Sequence, residues 1–283
     1  MNRVKLILSY LFGFITSVLL SILVILLLCK YSILNVDYIK NVLGKNNYYS
    51  EVYKGTLEEI EAYMISSGLE EEVLNNIFDE SIIEKEVDNY LDSIYSGSEY
   101  TVDSKSVKDK LSTNIDNYLS SSNLEVTDKK ELNLFINDIA KIYEDEIKFY
   151  NAAKFGKKYL TYGIKNIDKI ISFILGISLI SIIILLLLRC KFISSTIIGS
   201  GLILLFIRFM IFEKIDIKNI LIISDYFSKV IKAVLNDLGH NILMSSILLI
   251  GIGLIILLIE LLGKKIKIKK FRNLEKLIKK ELC

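Results

Sequence analysis

Residues 6–29, LILSYLFGFITSVLLSILVILLLC, hold no charged side chain over 24 positions and stand between Lys5 and Lys30. A helix rises about 1.5 Å per residue, so a run this long crosses a hydrocarbon core that needs roughly 20 apolar residues. A cleaved signal peptide has a shorter apolar core, about 7–15 residues, followed by small residues at the cleavage point. Here the run closes Leu26-Leu27-Leu28-Cys29, and a leucine before the cysteine also departs from a lipoprotein signal. The stretch reads as an uncleaved first span.

Three further stretches share this character. Residues 170–188 are uncharged, residues 192–212 carry one charge, Arg208, and residues 241–263 carry one, Glu260. Between the second and third stand only Arg189-Cys190-Lys191, and so short a connection forces two antiparallel neighbours. The composition agrees: 52% hydrophobic residues and a mean hydropathy of +0.44 exceed what a soluble globule needs, so the excess must face lipid. The expected fold class is all-α, a polytopic membrane protein with four transmembrane helices and an extracytoplasmic helical domain between helices 1 and 2. The parts in order are a cytoplasmic N-terminus (1–5), span one (6–29), the helical domain (30–168), span two (169–188), a cytoplasmic turn (189–191), span three (192–212), an extracytoplasmic amphipathic segment (213–240), span four (241–263) and a basic cytoplasmic tail (264–283).

Orientation follows from the basic residues of the short loops. Arg3, Lys5, Arg189, Lys191 and nine Lys/Arg from Lys264 onward share one side, against four in 213–240, which places both termini in the cytoplasm of a cell-membrane protein. The formal net charge of +2 hides this segregation: residues 31–168 hold 26 acidic and 15 basic side chains, −11, and the tail is +7. That separation of sign belongs to a membrane protein, not to one that binds nucleic acid. Three cysteines, Cys29, Cys190 and Cys283, are too scattered for a metal motif or a disulfide framework.

The domain is expected to be helical and to fold as residues 36–160 alone. Helix starts of the S/T-x-x-E kind stand at Thr56/Glu59, Ser67/Glu70 and Ser81/Glu84, with a related Asp128/Glu131. After Asp128 the apolar residues Leu132, Phe135, Ile136, Ile139, Tyr143 and Ile147 recur at helical steps. That helix has the spacing to run on into span two, with Gly156 and Gly163 as the points of interruption. From Ser224 the second segment places Tyr226/Phe227, Ile231, Val234/Leu235 and Leu238 on one face, which lies on the membrane surface or packs under the domain.

No residue pattern carries catalysis. His240 is the single histidine, and no H-E-x-x-H or G-x-S-x-G occurs, so no enzymatic activity, cofactor or metal is expected. The acidic clusters Glu70-Glu71-Glu72, Glu84/Glu86/Asp88 and Glu144-Asp145-Glu146 lack the alternating ligands and glycine of an EF-hand loop and read as solvated helix faces. Arg208 lies about 24 Å from the start of its span and Glu260 about 28 Å along the next, so they belong to opposite surfaces and do not pair. Lys264, Lys265, Lys267, Lys269, Lys270 and Arg272 form a polybasic juxtamembrane segment suited to anionic lipid headgroups. Ser9, Gly13, Ser17 and Ser21 recur every four residues and form a small-residue stripe on span one, with Ser172/Gly176 or Ser195/Gly199, or a second copy, as partner. Ser246, Gly253 and Glu260 share a face of span four.

The functional expectation is a non-enzymatic membrane protein of the cell envelope whose outer domain binds a protein partner or ligand. One span, a large outer domain and three further spans also resemble the topology of FtsX/MacB-type ABC permeases, which implies a transport-complex subunit. The resemblance covers order and rough size, and the chain departs from it at Arg189-Cys190-Lys191, where those permeases carry the cytoplasmic segment that engages their ATPase. A membrane-embedded enzyme is the third alternative.

Overall fold

The computed structural model describes residues 3–65, 67–123, 128–148, 150–187, 192–212 and 225–281, and for 150–158 and 264–281 the course of the backbone alone. The described elements are helices throughout: α1 (Arg3–Tyr31), α2 (Val36–Lys45), α3 (Tyr48–Met64), a 3-10 turn (Glu71–Leu74), α4 (Glu80–Ser96), α5 (Ser104–Ser121), α6 (Lys129–Ile147), α7 (Tyr150–Leu187), α8 (Ile193–Ile207) closed by a π-helical turn (Arg208–Phe212), and α9 (Asp225–Glu281). Four helical stretches are long and apolar enough to cross a membrane: Arg3–Tyr31, Tyr159–Leu187, Ile193–Phe212 and Asp225–Gly263. The chain divides into two compact units, one of Met1–Lys30, Asn166–Ile215 and Leu235–Cys283, the other of Tyr31–Lys165 and Asp216–Val234.

Within the first unit, side-chain contacts fix the direction of each span. Lys30 Nζ meets Asp168 Oδ1 at 2.6 Å while Thr16 and Ser181 join their hydroxyls at 2.6 Å, so α7 runs against α1. Ser17 and Ser21, one turn apart, donate to the carbonyls of Thr196 and Ser200, also one turn apart in the same sense, so α8 runs with α1. Gly201 faces Ser246 and Ile250, and Gly253 faces Ser194 and Ile198, so α9 runs against α8. Alternation of four spans brings Tyr10, Phe192 and Glu260 to one end of this unit and Lys30, Asp168, Arg208 and Gly239 to the other.

The second unit folds as water demands, with apolar side chains inside. Ile136, Ile139, Tyr143 and Ile147 of α6 are buried, and α6 packs against α3, α4 and α5. Val52 and Ile60 of α3, Ile83 and Val87 of α4, and Leu111 and Ile115 of α5 complete the same core. Aromatic rings belong to the same core: Phe78 contacts Tyr143 and Tyr53 at centroid distances of 5.1 and 5.8 Å, and Tyr48 meets Tyr226 and Phe227 edge-on at 5.6 and 6.4 Å. Burial pushes the Tyr48 and Tyr143 phenols above their ordinary pKa, so both stay neutral.

Several local expectations are corrected. Of the two placements open to the amphipathic segment, its described part shows packing on the domain: Val230 and Val234 belong to the domain core and Tyr226 and Phe227 pack against it, so residues 36–160 lack part of their own unit. Thr56 starts no helix. It lies inside α3 and returns its hydroxyl to the Val52 carbonyl at 2.7 Å, because Asn47 has already begun the helix. Ser67 caps no α-helix either; its hydroxyl receives Leu69 N–H at 3.2 Å. Asp79, not Ser81, caps α4: its carboxylate accepts Ile82 N–H at 2.9 Å and the Ser81 hydroxyl at 2.6 Å, which holds it below the usual carboxylate range. Asp128 does cap α6, accepting from Lys130 and Glu131. The helix after it ends at Ile147, whereas α7 passes unbroken through Gly156 and Gly163.

Because Ile139 is fully buried at the centre of four helices and Leu134 on the same helix is 56% exposed, the two positions separate packing from surface effects. Ile139→Ala should cost about 2–5 kcal/mol and Leu134→Ala less than about 0.5 kcal/mol, read as the urea midpoint of the domain's helical circular dichroism signal.

Candidate functional site: the hydroxyl and glycine seam

Lipid provides little hydrophobic drive between helices, so spans associate through close approach and polar contacts. The sequence of α1 meets this need by placing Ser9, Gly13, Thr16, Ser17 and Ser21 on its buried face. Ser17 Oγ donates to the Thr196 carbonyl at 2.8 Å and Ser21 Oγ to the Ser200 carbonyl at 3.0 Å. A Cβ on Gly13 would stand 3.3 Å from Thr196 Oγ1, and one on Gly199 only 2.9 Å from Ser17 Oγ. Ser9 directs its hydroxyl to the Lys5 carbonyl of its own helix at 2.6 Å.

The stripe's partner on span three is therefore Thr196, Gly199 and Ser200; Ser195 is exposed. On span two the named pair does not serve. Ser172 is exposed and a Cβ on Gly176 would meet nothing within 4 Å, and the contact to α1 is made one turn later by Ser181. A four-residue pattern marks a face, but only the register of the neighbouring helix decides which small residue opposes it.

The seam continues between α8 and α9. Ser246 Oγ donates to the Gly201 carbonyl at 2.7 Å. A Cβ on Gly201 would lie 2.9 Å from the Ser246 carbonyl oxygen, and one on Gly253 would lie 3.0 Å from Ile198 N and 3.1 Å from the Ser194 carbonyl oxygen. These are backbone atoms, which cannot swing aside. Glu260, one heptad beyond Gly253, reaches Ser194 Oγ at 3.5 Å. Arg208 stands at the opposite end, its guanidinium 5.8 Å from the Phe212 ring and its Nε 3.1 Å from a Cβ built on Gly239. Among the described residues that Nε has no hydrogen-bond partner. Lys264, Lys265, Lys267, Lys269, Lys270 and Arg272 lie on the helical course of α9, and their side chains fall outside the described residues.

Of the acidic clusters, two are engaged within the domain. Glu86 is buried and accepts Tyr100 O–H at 2.9 Å and Asp103 N–H at 3.1 Å, and Asp88 accepts Tyr49 O–H at 2.7 Å. Glu144 takes Ser104 O–H at 2.6 Å and Lys148 at 2.8 Å; burial raises its pKa, and these two partners more than offset that. Glu146 receives the Tyr226 hydroxyl. Glu70, Glu71 and Glu72 are exposed, as is His240. Among the described residues no three His, Cys, Asp or Glu side chains gather as metal ligands would.

The chemistry of the seam is thus structural: hydroxyls satisfied on carbonyls, at about 0.6 kcal/mol per interhelical bond, and glycines that admit backbone contact. No protein-family model, curated protein or solved structure matches the chain.

Gly201 and Gly251 offer a matched comparison, since a Cβ on Gly251 meets nothing within 4 Å. Gly201→Val should destabilise the detergent-solubilised protein by at least about 1–3 kcal/mol, seen as a lower temperature of aggregation, whereas Gly251→Val should melt like the wild type.

Proposed function

We propose that the chain is a non-enzymatic cell-envelope protein in which four spans act as an anchor and the helical domain of Tyr31–Lys165 and Asp216–Val234 binds a protein partner on the outer face. The observation that carries this reading is the seam. The faces that α8 turns to α1 and α9 are filled by hydroxyl–carbonyl bonds and glycine contacts, and Arg208 and Glu260 stand at opposite ends. A substrate path along these faces would need room and polar groups free of helix partners in mid-span, whereas the hydroxyls of Thr16, Ser17, Ser21 and Ser246 are bonded to neighbouring helices, which supports an anchor over a transport subunit.

The same reading places both termini in the cytoplasm, from the excess of Lys and Arg at that end. It also puts Lys264, Lys265, Lys267, Lys269, Lys270 and Arg272 against anionic inner-leaflet lipid, which attracts such residues at about 1 kcal/mol each near the surface. Membrane lipid and a protein partner are the expected partners.

Two measurements test the reading together. Under an impermeant thiol reagent in intact cells, Glu99→Cys, at an exposed position of the domain, should label while Cys283 should label only after lysis. The reverse pattern would overturn the orientation. Gentle solubilisation followed by co-purification should recover a partner that depends on the domain; stoichiometric recovery of an ATPase would replace the anchor with the transport reading.

A further inference from the structure

Resting on the reading of the domain as a binding module, we infer that the groove at the C-terminal end of α3 docks a cationic polypeptide segment that carries an apolar anchor residue. The groove is a recess of about 490 Å³. Its apolar part comprises Met64, 3% exposed, Leu69, half-buried, and Ile65, which at 84% is the most exposed large hydrophobic side chain among the described residues. Glu61 and the Glu70-Glu71-Glu72 run complete its lining.

Charge complementarity commits the groove to its occupant. All four charged side chains lining it are carboxylates, all are exposed, and among the described residues none of them is in an ion pair. In the domain's other two acidic clusters Glu86, Asp88, Glu144 and Glu146, though not Glu84 or Asp145, are each held by a named donor. Four carboxylates beside exposed apolar surface favour a counter-charge attached to an apolar side chain. A bare divalent ion satisfies the rim and leaves Ile65 in water. A lysine- or arginine-bearing segment with a leucine-like residue satisfies both. Residues 31–168 carry a net −11, which steers the same partner toward this surface.

The test uses the full chain in nanodiscs of neutral phosphatidylcholine, so that the membrane itself does not hold the probe. The probe is a fluorescent ten-residue peptide in which lysine pairs alternate with single leucines, and anisotropy reads its binding. It should bind saturably and more weakly as salt rises. The combined variant Glu70→Gln, Glu71→Gln, Glu72→Gln should weaken it about tenfold, and Ile65→Ser about fivefold, as should serine in place of leucine in the probe. The combined variant Glu99→Gln, Asp109→Asn, Asp116→Asn removes as many charges from exposed positions elsewhere and should bind as the wild type does. Equal loss in both triple variants would show attraction to the domain's overall charge and overturn the site. So would calcium displacing the probe at stoichiometric concentration, or a dimer dissolved by the first variant, which would assign the groove to an ion or to a second copy. If the probe fails to bind while co-purification recovers a domain-dependent partner, the groove is overturned and the binding-module reading stands.

Discussion

Helix contact in a lipid environment is the constraint on which the spans depend. Leucine against leucine gains little there over leucine against an acyl chain, so what holds two spans together must be something lipid cannot offer. In this chain it is the carbonyl oxygen of the neighbouring helix. Ser17, Ser21 and Ser246 each lie where a hydroxyl reaches one, and Gly201 and Gly253 lie where the backbones come close enough for such a bond to form. The two devices need each other: a side chain at Gly201 would push Ser246 away from the carbonyl it serves. Serine inside a helix ordinarily competes with the backbone. Here it bonds to its own helix and to the next one, as Ser17 does with Gly13 and Thr196, so the competing donor becomes a tie.

The domain answers to water and is built in the opposite way. Its helices are brought together by apolar faces, with α6 at the centre because Ile136, Ile139, Tyr143 and Ile147 keep to one side of it. Its polar atoms serve the ends and edges. Asn35, Asp79, Asp103 and Asp128 each accept a backbone N–H at the start of a helix, where four such groups lack partners. Three of these caps, Asp79, Asp103 and Asp128, are carboxylates, and carboxylate at a helix start is also favoured by the helix dipole.

The parts legible in the sequence are those governed by single residues. Transfer of an apolar side chain to lipid is nearly additive along a run, so the four span candidates were plain from composition alone. Face-by-face packing was legible on one helix at a time. The spacing of Ser9, Gly13, Ser17 and Ser21 marks a stripe, yet Ser172/Gly176 and Ser181 look alike until the register of α7 is known. Caps failed where the pattern is too common: Thr56 and Glu59 satisfy S/T-x-x-E in mid-helix, because nothing local records that Asn47 started the helix earlier. The break between α6 and α7 likewise falls after Ile147, not at Gly156 or Gly163, since propensity alone does not overrule packing. Nor did the acidic clusters differ by sequence, because whether a carboxylate meets a donor is decided by other helices.

That last distinction is what separates fold from function in a chain without a catalytic motif. A polar group with an internal partner is already committed: Glu86 to Tyr100 and Asp103, Ser246 to Gly201, Glu260 to Ser194. Removing it would expose a buried donor or acceptor, so its role is to hold the structure. A charged group beside exposed apolar surface and without an internal partner has no such role. Glu61 and the Glu70-Glu71-Glu72 run around Ile65 are of this second kind. The spans, by contrast, direct their serines at backbone carbonyls along the seam. The same physical rule thus assigns the seam serines to the fold and leaves these four carboxylates, among the described residues, without an ion-pair partner in it.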